Sequence, residues 1–201
     1  MGSFISISDF SSLVVATAAA ITAFYAFKGV SEWRNRLRVE VEYKIARELL
    51  ESVYRFRDCI ASIRTAFTPY VPALEEEHPG ESQASLNFLG IKDFYEERYK
   101  NIGEARLKLY APLLQAEVLW GAEVRNFVDE LVLKEKLFIL KLKNYIATQD
   151  PKLGDLERAS LEASLRGFEI FEVDDKDKFS AEFGLLVKQM EGFLKPKLNV
   201  K

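Results

Sequence analysis

The chain has 201 residues, of which 48% are hydrophobic and 29% charged, a balance that fits a folded protein with its own core and excludes a disordered chain. Its single cysteine, Cys59, and single histidine, His78, exclude a disulfide framework, a CxxC site and any multi-histidine metal site. Lysine and arginine total 28 against 31 acidic residues, so the net charge of −3 predicts no global attraction to nucleic acid.

The first predicted element is an uncharged run over residues 10–27. It is about 18 residues long, roughly 27 Å as a helix, against a bilayer core about 30 Å thick. A signal peptide would need a basic segment before the run, and an interfacial helix would need a basic face within it. The sequence has neither, although a buried core helix remains an alternative. The pattern favours a transmembrane helix over 10–28 after a short external N-terminus, 1–9.

The flanks of this run predict its orientation. Basic residues follow it closely, whereas Asp9 is the only charged side chain before it. Because cytoplasmic flanks carry the excess of lysine and arginine, we expect the N-terminus outside and residues 29–201 in the cytoplasm. The residues expected to form the anchor and its interface are Phe10, Leu13, Phe27, Lys28, Trp33, Arg34, Arg36 and Arg38.

Small residues recur at every fourth position inside the run, at Ser12, Ala16 and Ala20. This spacing lets two helices approach closely in lipid, so the three residues are a candidate helix–helix face. Alanine is also common in membrane helices without such a role. Self-association through this face is therefore a hypothesis.

A long helix is predicted over residues 36–67, which contain neither Gly nor Pro. Apolar side chains recur there in steps of three and four, close to a coiled-coil seam, and charged residues such as Arg64 are expected on the other faces. Three prolines then predict a loop over 68–90. This loop is acidic and holds His78. Consecutive carboxylates point in different directions, so a solvated loop is favoured over a cation site.

A second helical region is predicted over 92–148, a short helix over 155–166 and a last helix over 178–194. Gly103, Pro112 and Gly121 interrupt the second region. Pro112 removes a backbone hydrogen bond, so we expect a kink or break near residues 109–111. The residues predicted to form the core seam are Leu49, Val53, Phe56, Ile60, Ile63, Trp120, Phe127, Leu131 and Phe138. The predicted fold is all-α: a transmembrane helix, then a cytoplasmic antiparallel bundle in which 36–67 packs against 92–148 and the last helix closes the apolar faces.

Two charged segments allow more than one interpretation. Residues 133–143 form a basic amphipathic stretch that fits an anionic bilayer surface, although a core helix with solvated lysines is favoured. Asp174, Asp175 and Asp177 precede the last helix. A calcium loop would need glycine where Ser180 stands, so capping at the helix N-terminus is favoured.

Motifs that carry chemistry are missing from the sequence. It has no phosphate-binding glycine loop, no GxSxG, no HExxH and no di-iron carboxylate–histidine spacing. Its aromatic residues follow the apolar stripes, which indicates a core rather than a surface that stacks on nucleic acid. We therefore expect no cofactor, no metal and no small-molecule substrate. An enzyme whose site is built from helical carboxylates remains a third functional class.

Four segments carry a resemblance to known proteins: YAFKGVSEWRNRL (25–37), EYKIARELLESVYRFRDCI (42–60), QAEVLWG (115–121) and FLKPKL (193–198). With the uncharged run before them, they resemble a group of uncharacterised bacterial proteins of similar size that are helical and span the membrane once. The resemblance implies a bacterial inner-membrane setting. It implies no activity and no functional residue.

The sequence thus leads to a membrane-tethered helical interaction or scaffold protein without catalytic activity of its own. Its expected partners are the lipid bilayer and a protein, either a second copy or another chain. The alternative is a membrane-perturbing effector, of a toxin or stress and defence type, whose N-terminal helix oligomerises in the bilayer. The small-residue face and the basic segment motivate this alternative.

Overall fold

The computed structural model describes residues 7–65, 76–171 and 177–198, with side chains described from Val15 onward. Within these residues the chain forms five helices and no strand, which confirms the all-α prediction for the described part. The helices are α1 (Ile7–Arg64), α2 (Gln83–Trp120), α3 (Ala122–Thr148), α4 (Asp155–Leu165) and α5 (Lys178–Leu198). The chain divides into two compact units, the first ending at Lys44 and the second beginning at Ile45.

The first unit contains the N-terminal part of α1, which passes through Gly29 without a break. In the described part of the chain, no helix is long and apolar enough to cross a membrane, so the transmembrane helix predicted over 10–28 is not supported. The side chains of Phe10, Ser12 and Leu13 lie outside the described residues.

The second unit is a bundle in which residues 45–64 of α1 join α2, α3 and α5. Side-chain contacts show that consecutive members of this set run in opposite directions, the up-down-up-down order of a four-helix bundle. The contacts that set these directions are Phe56–Phe183 and Arg64–Ser180 for α1 and α5, Phe138–Phe179 and Phe127–Phe193 for α3 and α5, and Arg106–Glu135 and Glu117–Arg125 for α2 and α3.

The central member of the bundle is α3, which makes close backbone contacts with α2, α4 and α5. The expected pairing of 36–67 with 92–148 therefore describes only part of the packing. Residues 45–64 of α1 contribute side chains to the same core and meet α5 directly, where the Phe56 and Phe183 ring centroids lie 6.3 Å apart. The physical reason is that α3 buries residues along its whole length, from Val124 to Ile146, and so packs against several neighbours.

The break between α2 and α3 falls at Gly121 rather than at Pro112. Pro112 is buried inside α2, and the helix continues beyond it to Trp120. Gly121 has φ 79° and ψ −168°, a backbone conformation that glycine adopts readily and other residues avoid. A sharp reversal is therefore possible at Gly121 without strain.

The start of α2 lies inside the predicted loop 68–90. Ser82 caps the helix, because its side-chain Oγ accepts a hydrogen bond from the Ser85 N–H at 3.2 Å. This cap lets the helix begin at Gln83, directly after the turns at 76–80.

The residues predicted as a core seam occupy two kinds of position. Trp120 and Phe127 are partly buried and pack against the core. Phe193 of α5 lies 6.0 Å from Trp120 and 5.8 Å from Phe127, measured between ring centroids. The fully buried members are Leu49, Val53, Phe56, Ile60, Ile63, Leu131 and Phe138.

Candidate interaction surface

The first unit carries an unusual density of exposed apolar side chains. Phe27 is 78% exposed and Trp33 is 61% exposed. The complete set of large exposed apolar residues described in this unit is Val15, Ile21, Phe24, Tyr25, Phe27, Val30, Trp33, Leu37, Val39, Val41 and Tyr43. Exposed apolar surface on this scale makes this part of α1 a candidate interaction surface.

Basic side chains lie among the later members of this set, between Lys28 and Arg38. Lys28 and Arg38 each face an acidic residue one turn on, with Lys28 Nζ 4.0 Å from Glu32 and Arg38 Nε 2.8 Å from Glu42. Arg34 and Arg36 form no ion pair with any described residue. Arg34 and Arg38 also line a shallow groove with Phe27 and Val30. This part of α1 therefore combines apolar surface with cations that can meet an anionic partner.

The candidate helix–helix face is described only at Ala16 and Ala20, which are both exposed. They lie one turn apart on the same side of α1. Two residues before Ala20, the carbonyl of Ala18 accepts a hydrogen bond from the Thr22 hydroxyl at 2.8 Å. Because the Thr22 hydroxyl is hydrogen-bonded in this way, the free energy needed to place it in an apolar environment is lower.

Arg64 is buried, which corrects its expected position on a solvated face. Arg64 lies four residues after Ile60, so its position continues the spacing of the core seam. The sequence pattern excluded it from the seam because its side chain is charged. Its guanidinium donates hydrogen bonds to Asp177 Oδ1 at 2.9 Å and to Ser180 Oγ at 2.8 Å. The guanidinium also donates hydrogen bonds to the backbone carbonyls of Glu169, at 2.8 Å, and Ile170, at 3.2 Å.

Asp177 is the second member of this buried pair and also begins α5. Its Oδ1 accepts a hydrogen bond from the Ser180 N–H at 2.9 Å, which is the expected capping role. Asp174 and Asp175 lie outside the described residues. Burial alone would raise the pKa of Asp177, but the hydrogen bonds from Ser180 and Arg64 outweigh it and lower that pKa. The pair fastens the end of α1 to the start of α5.

The groups that carry catalysis are sparse in the described residues. No three His, Cys, Asp or Glu side chains among them are placed to hold a metal ion. Cys59 is partly buried, and burial, followed by the charge of Asp58, raises the pKa of its thiol, which Lys108 only partly opposes. A thiol held protonated in this way is a poor nucleophile.

The basic segment 133–143 is engaged within the bundle. Lys134 forms an ion pair with Glu182 of α5. Lys141 donates a hydrogen bond to the backbone carbonyl of Ser164 in α4, which packs against α3. These contacts favour the interpretation of a core helix with a lysine face over that of a bilayer-binding surface.

Comparison with protein-family models, with curated proteins and with solved structures finds no significant match to this chain. The resemblance to single-span bacterial proteins stays a prediction.

Proposed function

We propose that this chain is a helical interaction protein, tethered to a membrane by the N-terminal part of α1 and without catalytic activity of its own. The observation that carries the proposal is the set of large apolar side chains left exposed along residues 15–43. Contact of this apolar surface with water is unfavourable, so its burial in lipid or against another protein is favoured.

The membrane part of the proposal rests on the order of residues along α1. The uncharged run over 10–27 precedes Lys28, Arg34, Arg36 and Arg38. In the proposed arrangement the run enters the bilayer of the bacterial inner membrane, and the four cations meet lipid phosphates on the cytoplasmic side. Trp33 then lies at the level of the headgroups, and the bundle is cytoplasmic.

The interaction part rests on what the bundle offers. Its interior is filled by aliphatic and aromatic side chains, and its lone thiol is held protonated. A packed bundle of this kind supplies rigid outer faces for a partner, which we propose to be a second copy or another protein.

A charge placed in the uncharged run tests the tether in the full chain. Ala20→Arg puts a cation at a position that costs about 2.5–3.5 kcal/mol in a bilayer centre, so we expect it to move the protein from the membrane pellet to the supernatant. Ala159→Arg, at an exposed alanine of α4, is the matched control and should stay in the pellet. Wild-type protein that remains in the supernatant without detergent would disprove the tether.

The effector alternative is supported by the small residues Ala16 and Ala20, which share one exposed side of α1. It predicts that expression of the full chain arrests growth and that Ala20→Arg relieves the arrest. Normal growth during expression favours the scaffold.

A further inference from the structure

A groove between α2 and α3 has the size and lining of a ligand site. Its volume is about 490 Å³, within the range of pockets that hold small molecules. The apolar lining comes from Phe88 and Tyr99 of α2 and from Ile146 and Ala147 of α3. The charged lining comes from Lys92, Glu96 and Lys100 of α2 and from Lys143 of α3.

The charge on the rim of this groove is positive. Glu96 lies 3.8 Å from Lys92, so these two groups largely offset each other. Lys100 and Lys143 form no ion pair with any described residue, and the Lys143 ammonium lies 5.5 Å from the centroid of the Tyr99 ring. Two cations beside an apolar lining are complementary to a ligand with one anionic end and one apolar end.

Tyr99 adds no negative charge to this surface. Burial, followed by the neighbouring Tyr95 and Glu96, raises the pKa of its hydroxyl, so the side chain stays neutral at physiological pH. Its ring, with the Lys143 ammonium over it, is an uncharged part of the groove lining.

We propose that this groove binds a small amphipathic anion, a medium-chain fatty carboxylate, with its alkyl chain against Phe88 and Ile146 and its carboxylate toward Lys100 and Lys143. The alkyl chain covers apolar side chains that otherwise meet water. The two ammonium groups supply the counter-charge that a partly desolvated carboxylate requires. An uncharged ligand lacks that interaction, and a cationic one is repelled. The inference is independent of the proposed membrane tether.

Octanoate is a suitable probe, because it is soluble and its charge can be inverted at constant chain length in octyltrimethylammonium. The full chain is titrated by calorimetry in buffer if it stays in the supernatant without detergent, and in nanodiscs of neutral phosphatidylcholine if it does not. The heat from the matching blank, buffer or empty nanodiscs, is subtracted. We expect saturable binding of octanoate and at least tenfold weaker binding of octyltrimethylammonium.

Two variants locate the site. Lys100→Gln combined with Lys143→Gln removes the counter-charge and should weaken octanoate binding at least tenfold. Ala147→Phe fills the groove without changing its charge and should weaken binding as much, provided that circular dichroism shows wild-type helix content. Lys188→Gln, at an exposed lysine of α5, is the matched control and should bind like wild type.

Three results would overturn the proposal. They are the absence of saturable binding above the matching blank, equal binding of the anion and the cation, and wild-type affinity in the double lysine variant. If Ala147→Phe weakens binding and the double lysine variant does not, the groove binds the alkyl chain but does not select for the carboxylate, which also contradicts the proposed ligand class.

Discussion

Arg64 and Asp177 form an ion pair in the interior of the bundle, with 2.9 Å between Arg64 Nη2 and Asp177 Oδ1 and side-chain exposures of 2% and 1%. The two residues lie 113 positions apart in the sequence. Arg64 is also held between aromatic rings, with its guanidinium carbon 4.6 Å from the centroid of Phe179 and 5.8 Å from that of Phe138. Helices α1, α3 and α5 therefore meet at one charged group.

Replacing Arg64 should destabilise the bundle strongly. Arg64→Met leaves the Asp177 carboxylate buried without its cation, so we expect the free energy of unfolding to fall by about 3–5 kcal/mol. The matched control is Arg57→Met on the same helix, because the Arg57–Asp58 pair is exposed and should contribute less than about 1 kcal/mol. Urea denaturation followed by circular dichroism measures both. Equal stability of the two variants would contradict a structural role for the buried pair.

The same pair predicts a dependence of stability on acid. The pKa of Asp177 is lowered in the folded protein, because hydrogen bonds from Ser180 and Arg64 outweigh the effect of burial. A lowered folded pKa contributes stability that is complete above the unfolded pKa, near 4, and is lost as the pH falls through the folded pKa. We expect the free energy of unfolding to fall below about pH 4. The fall should be shallower in Asp177→Asn, and identical slopes between pH 7 and pH 3 would refute this.

Two tyrosines should respond in opposite directions to loss of their hydroxyls. The Tyr99 hydroxyl is buried and makes no hydrogen bond to any described residue, so Tyr99→Phe should leave stability unchanged or raise it by up to about 1 kcal/mol. Burial, followed by the neighbouring Glu191 carboxylate, raises the pKa of the Tyr54 hydroxyl. Tyr54→Phe removes the group that interacts with Glu191, so it should lower stability by about 1 kcal/mol. Thermal unfolding of both variants beside wild type is the measurement. A loss of stability in Tyr99→Phe would mean that its hydroxyl has a partner.

Two glycines in the α2–α3 hairpin provide a second opposed pair. Gly121 has φ 79°, and a Cβ there meets no atom within 4 Å, so Gly121→Ala costs only backbone strain, about 1–3 kcal/mol. Gly103 lies inside α2, where an added Cβ also has no neighbouring atom within 4 Å, so Gly103→Ala should raise stability by about 0.5–1 kcal/mol. Urea midpoints distinguish the two. A stabilising Gly121→Ala would contradict the break at that residue.

The candidate helix–helix face predicts self-association through α1. Ala16→Leu combined with Ala20→Leu enlarges two side chains on that face, and we expect it to reduce the fraction of dimers or larger species in detergent. Ala159→Leu combined with Ala163→Leu has the same spacing on exposed α4 and should leave that fraction unchanged. Analytical ultracentrifugation measures it. An unaltered oligomeric state in the α1 variant would exclude this face.

Helix content and the apolar stripe of α1 could be read from the sequence, because the period of a helix is a local property of the chain. Residues such as Leu49 and Phe56 repeat at helical spacing, and both are buried in the core. The exact ends of the helices were harder to predict from the sequence. The sequence marks Gly103, Pro112 and Gly121 as interruptions, but only Gly121 ends a helix, whereas Gly103 and Pro112 lie inside α2. The pattern could not distinguish them, since the backbone conformation at each depends on tertiary packing.

What only the tertiary structure decided is which faces meet. From the sequence, a charged residue at the spacing of the core seam is expected to face solvent. Arg64 is buried because α5 packs against α1 and places Asp177 beside it. The groove beside Tyr99 likewise joins Phe88 and Ile146 from two helices, a proximity that no local pattern encodes. Periodicity determines which side of a helix is apolar, whereas the packing of helices against one another determines where charges are buried and where a cavity remains.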